Sequence, residues 1–182
     1  MDLDSNQHVV AVSFARIGRF AVPVPADSLP LWGMPALVVE PEEADRALVV
    51  STLRSAGLIV TAVEGFASAR PRLVRWRPSV LVTEIRLGHH NGLHLAHIAR
   101  WMRRQMILIV TSCYRDPVLM RDAEALGAAF IQKPFTPAGL LATLYRAGSR
   151  QRHEDDLIAV SVTSNTDGPR RTPDRRGEPS DS

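Results

Sequence analysis

Residues 106–134, MILIVTSCYRDPVLMRDAEALGAAFIQKP, decide the fold. Met106 to Thr111 is apolar almost without a break, as in a strand buried on both faces. Asp116 followed by Pro117 reads as an N-cap and first-turn pair, and Gly127 as the left-handed residue closing that helix. Ala128 to Gln132 is a second apolar run. Strand, helix and strand in such a short stretch make a crossover unit with parallel strands.

The same alternation extends upstream and downstream. Further strand-like runs lie at Ala36 to Val39, Leu58 to Val63 and Ser79 to Thr83. Val49, Leu53 and Ala56 share a helix face ahead of Gly57, and Thr136 followed by Pro137 opens a last helix. Five strand–helix units over 35–149 predict an α/β fold: a five-stranded parallel sheet, doubly wound, with helices on both faces. Function in such sheets gathers at the carboxyl ends of the strands.

The flanks read differently. Residues 1–33 show no sustained period and carry prolines at 23, 25 and 30, so a weakly ordered extension is expected, and Met34 is a candidate for the true start. Residues 153–182 are rich in Ser, Thr, Asp, Pro and Arg and are expected to be a disordered polar tail. The single cysteine, Cys113, allows no internal disulfide. No run approaches ~18 uncharged apolar residues, so no membrane span and a cytoplasmic place are expected.

The isoelectric point near 9.7 suggests a polyanion binder, but the formal charge is only +3. Arg70, Arg72, Arg75 and Arg77, and again Arg100, Arg103 and Arg104, are spaced as solvated helical faces, so direct nucleic-acid binding is not expected. Twenty-one of the 22 basic residues are arginine, and the one lysine, Lys133, falls at a strand end.

The strand ends carry the informative side chains. The first ends in Glu40, Pro41, Glu42 and Glu43, the third in Glu84, the fourth in Thr111 and Ser112, the fifth in Lys133 and Pro134. Acid, hydroxyl and ammonium on one rim suit phosphoryl handling. With "ALVVEPEEADR" from Ala36, "PSVLVTEIRLGHHNGLHLA" from Pro78, "ILIVTS" from Ile107 and "LGAAFIQKPF" from Leu126, the chain resembles the response-regulator receiver domain of two-component signalling, a flavodoxin-like (βα)5 fold. The resemblance implies a magnesium-binding acidic pair after the first strand and an aspartate after the third that a histidine kinase phosphorylates. It also implies a hydroxyl, an aromatic and a lysine that report the phosphate: Thr111, Phe130 and Lys133 here.

The acidic positions depart from that pattern. Glu84 stands at the phosphoacceptor position, and the pair reads Glu40 then Pro41, with Glu42 and Glu43 displaced along the chain. Proline offers no carboxylate, and Mg²⁺ tolerates little departure from octahedral geometry. The expectation is a pseudo-receiver without a cofactor, in which Glu40 and Glu84 are the ligands if Mg²⁺ binds. Glu84 either mimics the phosphorylated state or merely neutralises Lys133. The chain is expected to act as a single-domain protein through residues 115–147 on a histidine kinase, phosphotransfer protein or effector. The alternatives are a receiver phosphorylated at a non-standard acid, a small flavodoxin-like enzyme, or a nucleic-acid-binding regulator. There is no GxGxxG after the first strand, no P-loop and no GxSxG, so an enzyme is not expected. The roughly thirty residues after the last expected helix hold no helix-turn-helix pattern. His89, His90, His94 and His97 read as a solvated cluster and Cys113 as an ordinary loop cysteine rather than metal or redox sites.

Overall fold

The structure, a computed structural model, describes the backbone of residues 12–17, 20–25 and 31–164 and the side-chain surroundings of residues 31–153. Two strands, β1 (Val12–Ile17) and β2 (Phe20–Pro25), form an antiparallel hairpin. This corrects the expectation of weak order over 1–33. Pro23 and Pro25 look like strand breakers, but a two-stranded ribbon consists only of edges, where a missing N–H is tolerated. Leu31 is buried and Met34 packs against the core, so the domain begins packing before residue 35. The rest of the 1–33 expectation lies outside the described residues.

The sheet is built from β3 (Pro35–Val39), β4 (Ile59–Val63), β5 (Val80–Glu84), β8 (Ile107–Ser112) and β9 (Ala129–Gln132). All pairs are parallel, in the order β4-β3-β5-β8-β9, and each strand lies within one residue of its predicted ends. Between them run α1 (Glu43–Ser55), α2 (Phe66–Trp76), α3 (Gly92–Met102), α4 (Pro117–Ala125) and α5 (Pro137–Ser164). Alternate strand residues feed two cores. Ala36, Val38, Ile107 and Ile109 pack with Leu53 of α1 and Leu140 and Leu144 of α5. Leu37, Val39, Leu108 and Val110 pack with Leu73 of α2 and Leu95 and Ala99 of α3. Burial on both faces is why these strands read as continuous apolar runs.

Helix ends follow their punctuation. The Asp116 carboxylate accepts from the amides of Val118 and Leu119, Gly57 and Gly127 sit at φ 90° and 65°, and Thr136 Oγ1 accepts from the Gly139 amide. The last helix corrects a second expectation. It continues past His153 to Ser164, so residues 153–164 are helical rather than disordered. No proline or glycine occurs between Gly148 and Gly168, so nothing in the sequence stops that helix early. Residues 165–182 lie outside the described residues. No described helix is long and apolar enough to cross a membrane.

The loop after β5 folds back as a two-residue ladder, β6 (Arg86–Leu87) with β7 (His90–Asn91), turning at Gly88 with φ 66°. It delivers Gly92 onto the strand end: the Gly92 amide donates to Ile85 O at 2.7 Å, and a Cβ there would lie 2.0 Å from Glu84 O. Backbone cannot yield as a flexible side chain can, so Gly92→Ala is expected to cost about 3 kcal/mol through overpacking. Urea denaturation measures this, and a loss under about 0.5 kcal/mol would show that the loop adapts.

Candidate functional site

The carboxyl ends of β3, β5 and β9 place three side chains on one buried point. Glu40 follows β3, Glu84 ends β5 and Lys133 follows β9; their side chains are 4%, 8% and 7% exposed. Lys133 Nζ lies 2.6 Å from Glu40 Oε2 and 2.7 Å from Glu84 Oε2. A third acid, Asp45 in the first turn of α1, reaches it at 2.9 Å. An ammonium has three donors, and here three carboxylates surround it.

Each glutamate is also held from behind by the chain. Glu40 Oε1 accepts from the Glu42 amide and Glu84 Oε1 from the Arg86 amide, both at 3.1 Å. Glu84 Oε2 meets Lys133 as an ion contact and has no hydrogen-bond partner among the described residues. Arg46 clamps the β3–α1 turn by donating to Glu40 O and Pro41 O at 2.7 and 2.9 Å. The Lys133 amide donates to Ser112 O, which ties the lysine to the end of β8.

Burial alone would lower the Lys133 pKa, but Glu40, Glu84 and Asp45 together outweigh it and hold the ammonium well above its ordinary range. Glu40 moves up as well, because burial of its carboxylate outweighs the help of Lys133 and of the Glu42 amide. The two directions pull against each other across one ion pair. The charged lysine is the firmer of the two, since it has three anionic partners while Glu40 shares one cation with two other acids.

Thr111 is buried on β8, in register with Glu84 on one side and Ile131 on the other. Phe130 is half-buried against the core on the α2–α4 side of the sheet. Glu42 and Glu43 are exposed, so the predicted acidic pocket is corrected: of the acids after β3 it holds Glu40 but not these two, and Asp45 takes their place. Sequence reasoning missed Asp45 because it lies inside α1, a turn beyond the strand end, although its one-turn spacing from Pro41 was a usable signal. A bridge across the mouth was also missed: the Arg86 guanidinium lies 4.1 Å from the centroid of the Tyr114 ring.

Pro41 brings no carboxylate, and the carboxylates that converge close on Lys133 Nζ. Among the described residues, no group of three or more His, Cys, Asp or Glu is arranged to hold a metal. His90 stacks on Phe66 at 4.5 Å with His94 5.5 Å from the same ring, and His97 is exposed. Cys113 is exposed.

Residues 36–145 match the response regulator receiver domain. The chain belongs to that family. A curated relative, the transcriptional regulatory protein FixJ of Azorhizobium caulinodans, is 31% identical over 127 residues, covering 67% of this chain and 60% of the relative. This chain thus spans under two thirds of that protein's length. Among solved structures, the chemotaxis response regulator CheY4 of Vibrio cholerae superposes with TM-score 0.57 at 24% identity, over 63% of this chain and 98% of its own. A CheY-like receiver from Methanospirillum hungatei gives 0.62 at 21%, over 67% and 98%. These two likenesses show the fold: a five-stranded receiver sheet, here with Lys133 and Glu84 in its pocket. The receiver family places this chain in two-component signalling.

Proposed function

We propose that this receiver is an atypical one, whose pocket is held by an internal cluster of carboxylates around Lys133 and is not switched by phosphoryl transfer. The supporting observation is the set of contacts at 2.6, 2.7 and 2.9 Å from Glu40, Glu84 and Asp45 to a single ammonium. A lysine so surrounded already has its charge met by three anions, so a phosphoryl group would have to displace them. A carboxylate carries one charge where a phosphoryl group carries about two and three acceptor oxygens, so Glu84 is an incomplete mimic. Its effect is to fix the strand ends rather than to toggle them.

Signalling then runs through protein contact, without catalysis and in the cytoplasm. The surface from 115 to 147 supplies the partner face. It carries an open groove of about 820 Å³ that includes Arg115, Met120, Arg121, Phe130 and, from beyond that span, Arg150, with Glu124 as its one acid. Such a lining suits an acidic surface of a histidine kinase, phosphotransfer protein or effector. The test is phosphotransfer from a small acyl-phosphate donor to wild type and to the Pro41→Asp/Glu84→Asp variant. Label on the variant alone supports the reading, and equal label on wild type overturns it.

A further inference from the structure

The three tryptophans of the chain, Trp32, Trp76 and Trp101, are exposed to 86%, 55% and 86%. Side chains of that size are highly buried on average. All three lie at the amino-end rim of the sheet, opposite Lys133. Trp32 precedes β3, and Trp76 and Trp101 end α2 and α3, which return to the starts of the next strands. The rim is continuous. A Cβ at Gly57, just before β4, would meet the Trp32 ring at 2.5 Å. Trp76 lines a groove of about 330 Å³ with Pro35, Ile59 and Pro78, and Arg103 Nη1 reaches Ser79 Oγ at 3.3 Å.

That rim is cationic. The last turns of α2 and α3 and the residues just past them bring Arg75, Arg77, Arg103 and Arg104 there. Arg75, Arg77, Arg103 and Arg104 face no carboxylate among the described residues. On the opposite rim, the corner where α1 starts carries exposed acids: Glu42 and Glu43, and beyond β4 Glu64, which pairs with Arg46 at 3.4 Å. Pro41, also exposed, stands beside these acids as an apolar knob. The net charge of +3 therefore conceals a cationic rim and an acidic corner opposite it.

We propose that these rims bind each other between copies of the chain, head to tail. Pro41 of one copy enters the Trp76 groove of the next while Glu42 and Glu43 meet Arg75, Arg77 and Arg103. An apolar centre inside a charged border is the ordinary anatomy of a protein interface, and tryptophan and arginine are its commonest energetic anchors. A two-fold pairing of amino-end rims would instead set arginines against arginines. The continuation of α5 bounds the patch beside Arg100, which bonds Gln151.

Sedimentation equilibrium tests this. Wild type is expected to gain weight-average mass with concentration, at least tenfold more weakly at 1 M than at 0.01 M salt, as the Debye length falls from about 30 to 3 Å. Arg75→Ser/Trp76→Ser and Glu42→Arg/Glu43→Arg are each expected to be monomeric, yet to form a one-to-one pair and nothing larger when mixed. That pairing also shows that both variants are folded, and Arg75→Gln/Arg103→Gln is the milder counterpart for the mixture. A monomer at every concentration up to about 1 mM, or an assembly that survives Glu42→Arg/Glu43→Arg, overturns the proposal. So does quenching of tryptophan fluorescence by oligothymidylate in a monomeric protein, which would give the face to nucleic acid.

Discussion

Replacing Lys133 with methionine should destabilise the protein by about 3–5 kcal/mol at neutral pH, the scale for removing one partner of a buried charge pair. Methionine keeps most of the volume, so a cavity contributes little. The loss is electrostatic: Glu40, Glu84 and Asp45 converge on the place where the ammonium was. The deficit should therefore shrink on acidification. Glu40 already has a folded pKa above its ordinary 4.5, so the folded state binds its proton at pH values where the unfolded state has lost it. A raised acid makes stability fall as pH rises through the window between the two values, and the variant should show this slope more strongly than wild type. Lysine has the opposite arrangement. Its raised pKa gives wild type a contribution that is complete below the ordinary lysine value of 10.5 and is lost as pH climbs through the higher folded value. Urea midpoints from pH 4 to 10 measure the acid-side slope, with the lysine contribution complete throughout that range, and a pH-independent deficit would show that packing, not charge, is what Lys133 supplies.

The second large effect is a gain. Glu84→Asp shortens the side chain by one methylene, which draws the carboxylate back from Lys133 Nζ, 2.7 Å away, and opens space beside the ammonium. Pro41→Asp restores an acid beside Glu40, where the chain now turns under the Arg46 clamp. Neither change alone should suffice, because the first leaves the acidic pair incomplete and the second leaves Glu84 against Lys133. Together they should take up phosphate from an acyl-phosphate donor at least tenfold faster than wild type, as read by radiolabel. No gain in the double variant would mean that the pocket differs from a working receiver by more than these two residues.

The sheet was legible because burial on both faces writes itself as apolar runs, and the glycines and prolines at its helix ends obey local rules. The hairpin of β1 and β2 was not. Its prolines contradict strand propensity, and only pairing between two short stretches makes them tolerable. The helical course of 153–164 was hidden by a polar composition that resembles a tail. In the pocket, Glu40, Glu84 and Lys133 follow from strand ends, since a strand's last residue has a fixed place on the rim. Asp45 depends on how far α1 winds before its first turn faces the pocket, and Glu42 and Glu43 were misplaced for the same reason. The opposing charge of the cationic rim and the acidic corner was invisible to a net charge, which sums over the distance that separates them.

In the proposed pocket the protein's own carboxylates occupy Lys133, so that no phosphoryl group is accepted at Glu84. The intact mass of wild-type protein after incubation with excess acyl phosphate and Mg²⁺ tests it most directly. An unchanged mass is the predicted result; a stoichiometric gain of one acid-labile phosphoryl group mapped to Glu84 would contradict it.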